Sequence, residues 1–190
     1  MDRRVIPLAA VVVAVVLAFA VLAWVTGNRG STIGGPFSLV DDSGHPVSDT
    51  DFRGRFLLIF FGYTYCPDVC PTALQTMAGA LQRLGPAGER VQPLFITVDP
   101  ERDTVGHLHD YVALFPPRLV VLTGTPGQIA ATARAYRVFY RRVATADGGY
   151  SMDHSGLTYL IGPDGRFLTA FGPGATSDAI AEALRRRLGS

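Results

Sequence analysis

Apolar residues along the chain fall into three patterns: one long uncharged run, several short unbroken runs, and stretches where they recur at helical spacing. The densest short run, residues 56–61 (FLLIFF), has the aromatic and β-branched content of a strand buried on both faces, as in the middle of a parallel sheet. Gly62, Tyr63, Thr64 and Tyr65 then turn the chain, and Ala73, Leu74, Met77, Ala80, Leu81 and Leu84 recur at the spacing of a helix. Residues 91–98 form a second strand, followed by a polar connection over residues 99–104. A helix over about residues 105–115 stops at Pro116-Pro117, and residues 119–122 give a third short strand. Thr125 caps a further helix, with Pro126 at its first position, that runs to about Tyr136. Ahead of these elements, residues 37–40 and 45–47 around Asp42-Ser43-Gly44 predict a small hairpin, and Asp51-Phe52-Arg53-Gly54 a turn into the buried strand.

Toward the C-terminus residues 138–143 are strand-like and residues 144–155 read as a polar, glycine-bearing excursion. Residues 157–161 and 167–171 flank Gly162-Pro163-Asp164-Gly165 as a hairpin. The last helix, residues 177–188, carries apolar Ile180, Ala181, Ala183 and Leu184 and ends in Arg185, Arg186 and Arg187, which complement its dipole. Strands alternating with helices, closed by a hairpin and a helix, predict a three-layer α/β domain with a mixed central sheet.

The long run covers residues 5–25, all uncharged, and is closed by Trp24, Gly27, Asn28 and Arg29. About 20 residues at ~1.5 Å rise cross a hydrocarbon core of ~30 Å, so this run predicts one N-terminal transmembrane helix. Arg3 and Arg4 stay in the cytoplasm, which places the remainder outside. A cleaved signal peptide is the competing reading, because Ala18-Phe19-Ala20 fits a small-residue cleavage pattern; apolar residues continuing to Trp24 favour the retained anchor, and both readings export the domain. No cysteine follows the run, which excludes a lipoprotein anchor. The expected organisation is an anchor over residues 1–26, a flexible linker over 27–35 and one domain over 36–190, on the bacterial inner membrane and facing the periplasm or cell exterior.

Charge and cysteine usage narrow the chemistry. A net charge of +1, from 17 basic and 16 acidic residues, supplies no field for nucleic acid; every basic residue is arginine, a compositional hint of a GC-rich bacterial genome. The two cysteines, Cys66 and Cys70, are too few for a disulfide scaffold and stand where the predicted helix begins. Backbone N–H groups there lack intrahelical partners, and the positive end of the dipole favours thiolate, the form that attacks or binds metal. Positions i and i+4 share a helix face, so both sulfurs can address one point. Two thiolates suit Cu(I), or Zn(II) if two more ligands arrive. The further candidates are His154 and, behind it, Met152, both in the polar excursion. Spacing alone leaves a metal site, a redox disulfide and an inert buried pair all open.

Among the remaining polar residues, His45 reads as a turn residue, and His107 and His109, two apart, share no helix face and read as ordinary helix residues. Asp99 follows a strand at the end where α/β sheets place their sites, and is either an outer-shell partner or a turn cap. Asp153 carries the same two readings.

Three separated motifs carry a resemblance: Tyr63-Thr64-Tyr65-Cys66-Pro67-Asp68-Val69-Cys70-Pro71; Val98-Asp99-Pro100-Glu101-Arg102-Asp103-Thr104; and Asp153-His154-Ser155, followed by Tyr159-Leu160-Ile161-Gly162-Pro163-Asp164-Gly165. Over about residues 34–188 the chain resembles the Sco/SenC family of membrane-anchored copper chaperones. The resemblance implies a thioredoxin-like fold and one copper ion, Cu(I) or Cu(II), held by Cys66, Cys70 and His154. It implies a role in assembling the binuclear copper centre of cytochrome c oxidase subunit II, with that subunit, an upstream copper donor and a periplasmic thiol reductant as partners. In thioredoxin-like oxidoreductases the loop before the terminal hairpin presents a cis-proline to the cysteines. Here His154-Ser155-Gly156 stands in that place, and three residues rather than two separate the cysteines, so both features lead away from disulfide exchange. Met152 departs from the family, which often carries valine there. The alternative is a thiol-disulfide oxidoreductase that reduces the cysteines of that subunit or another exported protein through Cys66 and Cys70 without His154. A peroxidase of the peroxiredoxin type is a third reading.

Overall fold

The computed structural model describes residues 17, 33–116 and 118–189. The elements are β1 (Ser38–Asp41), β2 (Pro46–Ser48), β3 (Phe56–Gly62), α1 (Val69–Leu84), β4 (Val91–Thr97), α2 (Val105–Val112), β5 (Val120–Thr123), α3 (Pro126–Ala135), β6 (Tyr140–Ala144), β7 (Tyr150–His154), β8 (Thr158–Ile161), β9 (Phe167–Phe171) and α4 (Ser177–Leu188). Ile33–Ser190 make up one compact unit. The expected membrane helix and most of the expected linker lie outside the described residues. Among the described residues, no helix is long and apolar enough to cross a membrane.

Seven strands form one sheet in the order β2-β1-β5-β4-β3-β8-β9, and β3 sits inside it with every residue buried. On one side β3 runs parallel to β4, from Phe56↔Val91 to Gly62↔Thr97. On the other it meets β8 antiparallel, from Leu57↔Ile161 to Phe60↔Thr158, so its surroundings are mixed rather than purely parallel. The terminal β8–β9 hairpin supplies that antiparallel neighbour. Alternation along β3 sorts the two faces. Phe61 meets Tyr136, just beyond α3, and Tyr159. Phe60 faces His154, and Gly62 abuts Cys70, on the opposite face. On that side α1 buries Cys70, Leu74, Met77, Ala80 and Leu84, and α4 packs beside it, with Ser177 Oγ donating to the Thr76 carbonyl at 3.0 Å. The result is the mixed three-layer architecture that the alternating pattern predicts.

Two stretches differ from expectation. Residues 144–155 are not an open excursion: they contain β7, which pairs antiparallel with β6 from Tyr140↔His154 to Ala144↔Tyr150. The period-two signal was masked because β6 is exposed over Arg141, Arg142, Val143 and Ala144 and β7 is polar at Ser151, Asp153 and His154. Helix α2 stops at Val112, with tight turns over the following residues, in which Leu114 N–H donates to Tyr111 and Phe115 N–H to Val112. The predicted cap of α3 is present in full: Thr125 accepts from Gln128 N–H, and the Gln128 side chain returns the bond to Thr125 N–H.

Candidate metal centre

The site forms where β3 ends. A Cβ added to Gly62 would lie 2.7 Å from Cys70 Sγ, 2.9 Å from a Phe60 ring carbon and 3.0 Å from one of Phe95, so this glycine serves close approach of a thiol rather than a turn. The chain then turns through residues 63–68, with Cys66 N–H donating to the Tyr63 carbonyl at 3.2 Å. Helix α1 begins only at Val69, so Cys66 precedes the helix instead of starting it, while Cys70 is its second residue. The arrangement still brings the sulfurs together, because the Cys70 N–H points at Cys66 Sγ at 3.4 Å. Cys66 thus occupies the anion-favouring end of the helix that the spacing anticipated.

His154 arrives from the end of β7. Its Nε2 lies 3.6 Å from Cys70 Sγ, and its Nδ1 lies 3.2 Å from the Ser155 carbonyl. The Ser155 carbonyl fixes the Nδ1 edge of the ring, and Nε2 is the nitrogen turned toward the sulfurs. The edges of Phe60 and Tyr63 hold the ring, with centroids 6.0 and 5.8 Å away. The three donor atoms all lie within 4.8 Å of one another.

The thiols are free and unequal: Cys70 is fully buried, whereas Cys66 is half-buried at the cleft. A hydrogen bond from Cys70, aided by His154 and by the N–H groups of Asp68 and Cys70, draws the Cys66 pKa down to about 3. The same bond, with burial, pushes Cys70 up. At neutral pH the pair therefore holds one proton, on Cys70, donated to the Cys66 thiolate.

This donor set fits a soft metal ion. Thiolate and imidazole bonds of about 2.0–2.3 Å around one ion put the donors roughly 3.5–4 Å apart in a trigonal plane, a spacing the observed arrangement nearly meets without metal. Two thiolates and one imidazole favour copper among the available metals.

The outer residues divide. Asp99 is buried; its carboxylate accepts from Arg102 Nε at 2.5 Å and from the Tyr150 hydroxyl at 3.0 Å. Among the described residues it makes no hydrogen bond to Cys66, Cys70 or His154. Asp153 pairs with Arg141 across the β6–β7 hairpin at 3.0 Å. Met152 is buried on the same strand face as His154 and lines the cleft with Cys66.

The cysteine turn is fixed by a group to which the sequence assigns no role of its own. Buried Asp103 accepts from Thr64 Oγ1 at 2.6 Å, Thr64 N–H at 3.1 Å and Thr97 Oγ1 at 2.6 Å, and burial raises its pKa. His107 lies with Nε2 2.8 Å from Thr64 Oγ1 and its ring stacked on Tyr65 at 5.2 Å, so it supports the turn rather than merely occupying a helix. The only sequence signal was the clustering of polar residues after β4.

A mixed α/β sheet with two thiols at a helix start and an imidazole from the facing hairpin defines a thioredoxin-like domain built as a candidate metal-binding site. The family model described as SCO1/SenC matches residues 25–189, and the chain belongs to that family. The mitochondrial Protein SCO1 homolog 1 of Arabidopsis thaliana is 40% identical over 159 residues, covering 83% of this chain and 48% of that protein. Protein SenC of Rhodobacter capsulatus is 40% identical over 159 residues, covering 84% of this chain and 72% of that protein. The chain spans about half the length of the Arabidopsis relative. Among solved structures, Arabidopsis thaliana ScoI with copper bound is 40% identical with a TM-score of 0.79, covering 83% of this chain and 98% of that one. Bradyrhizobium japonicum ScoI with copper bound is 45% identical with a TM-score of 0.75, covering 81% and 98%.

Proposed function

We propose that this protein is a metallochaperone that holds one copper ion through Cys66, Cys70 and His154 and passes it to the binuclear copper centre of cytochrome c oxidase subunit II. The observation that carries the reading is the convergence of two sulfurs and one imidazole nitrogen within 4.8 Å at an open cleft. Related structures with copper bound support the choice of metal. The residues' own contributions follow from their placement. Cys66, already thiolate, offers the first bond at the surface. Cys70 gives up its proton as the second bond forms, and His154 Nε2 closes the set from the hairpin. Because the cleft is open beside Cys66, an acceptor's ligands can displace the protein's one at a time, and copper need never be free. The proposed setting is residues 1–26 as an anchor in the bacterial inner membrane, 27–35 as a linker, and the domain over 36–190 in the periplasm. An upstream copper donor loads the site, and a periplasmic thiol reductant keeps the cysteines reduced.

The low pKa of Cys66 favours one second reading, a thiol-disulfide reductase acting on the same subunit. One experiment separates the two. The copper-loaded full chain, parent or His154→Ala, is mixed with the purified metal-free copper domain of subunit II, with that domain's cysteines reduced or oxidised. The chaperone reading predicts copper transfer by the parent and its loss in His154→Ala. Reduction of the oxidised domain that survives His154→Ala, with no copper transfer by the parent, would overturn it.

A further inference from the structure

Two separate parts of the molecule supply the donors. Cys66 and Cys70 come from the turn after β3 and from α1, whereas His154 comes from the β6–β7 hairpin, which shares no ladder with the seven-stranded sheet. Tyr63 touches the hairpin at the His154 ring and the Met152 backbone, and a second set of contacts between hairpin and turn gathers on Arg102. Its Nε donates to Asp99 Oδ2 at 2.5 Å and its Nη1 to the Tyr150 carbonyl at 2.9 Å. Its guanidinium carbon lies 3.7 Å from the Tyr150 ring centroid, 4.6 Å from that of Tyr65 and 5.7 Å from that of Tyr63. Asp99, 2% exposed, also takes the Tyr150 hydroxyl, so Tyr150 is held at its carbonyl, its ring and its phenol at once. The buried Nη2 has no hydrogen-bond partner among the described residues. The guanidinium is therefore fixed by two hydrogen bonds and by its stack on the aromatic rings. Outside this core, Arg142 of β6 lies 4.0 Å from the Tyr150 ring centroid and pairs with Glu101 at 2.5 Å.

Tyr150 and His154 lie on one face of β7, four residues apart, so whatever fixes Tyr150 fixes the register and tilt at which the imidazole is offered. Tyr63 and Tyr65, which the same guanidinium faces, lie in the turn that leads to Cys66. We propose that Arg102 is a positioning residue for the metal site: it docks the His154-bearing hairpin onto the Cys66-bearing turn, so that the third donor is in place before metal arrives. This rests on the copper reading above. It gives residues 99–104 a second task beside the Asp103 anchor, and it explains why an arginine, with a flat face and a rigid fork, stands there.

The test uses the full chain in parent, Arg102→Gln, Arg102→Lys, His154→Ala and Arg102→Gln/His154→Ala forms. Cu(I) affinity is measured by competition with a chromogenic chelator, and amide hydrogen exchange is followed in the metal-free proteins. Arg102→Gln is expected to lose about 10- to 100-fold in affinity, the usual cost of removing a ligand's support. Exchange should quicken over Tyr150–His154 but not over the middle of α1. Lys keeps the charge yet lacks the fork and the stacking face, so Arg102→Lys should not restore the parent affinity. On the His154→Ala background Arg102→Gln should cost nothing further, because its effect passes through the imidazole. Parent-like affinity and exchange in Arg102→Gln, or an undiminished loss on the His154→Ala background, would overturn the proposal. If Arg102→Gln does not fold, Tyr150→Leu removes the same grip and must give the same pattern. Copper affinity unchanged in His154→Ala would sink the copper reading, while the exchange arm would still decide whether Arg102 holds the hairpin.

Discussion

Replacing Gly62 by alanine tests the geometry of the site from beneath. The new methyl would sit 2.7 Å from Cys70 Sγ, 2.9 Å from Phe60 and 3.0 Å from Phe95. Comfortable separations are about 3.5–4.0 Å, so the sulfur must retreat by roughly 1 Å or the strand must move. The strand cannot move freely, since β3 is laddered to β4 and β8 and buried throughout. Overpacking of this kind costs about 1–3 kcal/mol. A sulfur displaced by that amount no longer stands 3.6 Å from His154 Nε2, and its hydrogen bond to Cys66 weakens as well. Gly62→Ala should therefore lower stability by about 1–3 kcal/mol in urea unfolding and copper affinity by about tenfold or more. Gly106→Ala is the control, because a Cβ there meets nothing within 4 Å; in a helix it should be neutral or stabilising by up to about 1 kcal/mol. Parent-like stability and affinity in Gly62→Ala would refute the claim that the glycine exists to admit the thiol.

Further outcomes follow from the proton count and from the turn. Cys66, at about 3, lies below the free-thiol value of about 8.5, so its thiolate's contribution to stability is present in full above that free value and is lost as pH falls toward about 3. Alkylation of Cys66 by iodoacetamide, read by mass spectrometry, should accordingly be nearly independent of pH between about 5 and 8. In Cys70→Ala the midpoint should climb toward the free-thiol range, because the main donor to the thiolate is gone; a parent rate that rises tenfold per pH unit would contradict this. Thr64→Val deletes the hydroxyl between Asp103 and His107 and leaves a buried carboxylate short of a partner. It should cost about 1–3 kcal/mol in urea unfolding, whereas a change below about 0.5 kcal/mol would show that Asp103 does not anchor the turn.

Much of this fold is legible in the chain because local signals and burial agree. The apolar run at residues 56–61 became a strand with no exposed residue, the Thr125-Pro126 start carries a full capping box, and α4 spans the residues its periodicity marked. β7 stayed hidden because its alternation is short, Tyr150 and Met152 against Ser151 and Asp153, and its inward face ends in a polar residue, His154. The place of Cys66 ahead of the helix was missed because the i, i+4 spacing looks helical even where a turn supplies the same approach. The cysteine pair could be picked out by composition and His154 stood as a candidate beside Met152, but the choice between them came with the three-motif resemblance. Arg102, Asp103 and His107 gain their roles from contacts 39 to 48 residues apart in sequence, which periodicity does not report. Pairwise chemistry of that reach is written in the fold.

X-ray absorption at the copper edge, on the Cu(I)-loaded full chain and on His154→Ala, addresses the central claim most directly. Two sulfurs and one nitrogen around copper in the parent, with the nitrogen lost in the variant, are the predicted result. A parent spectrum that holds sulfur alone, or a nitrogen that persists after His154→Ala, would contradict the site described here.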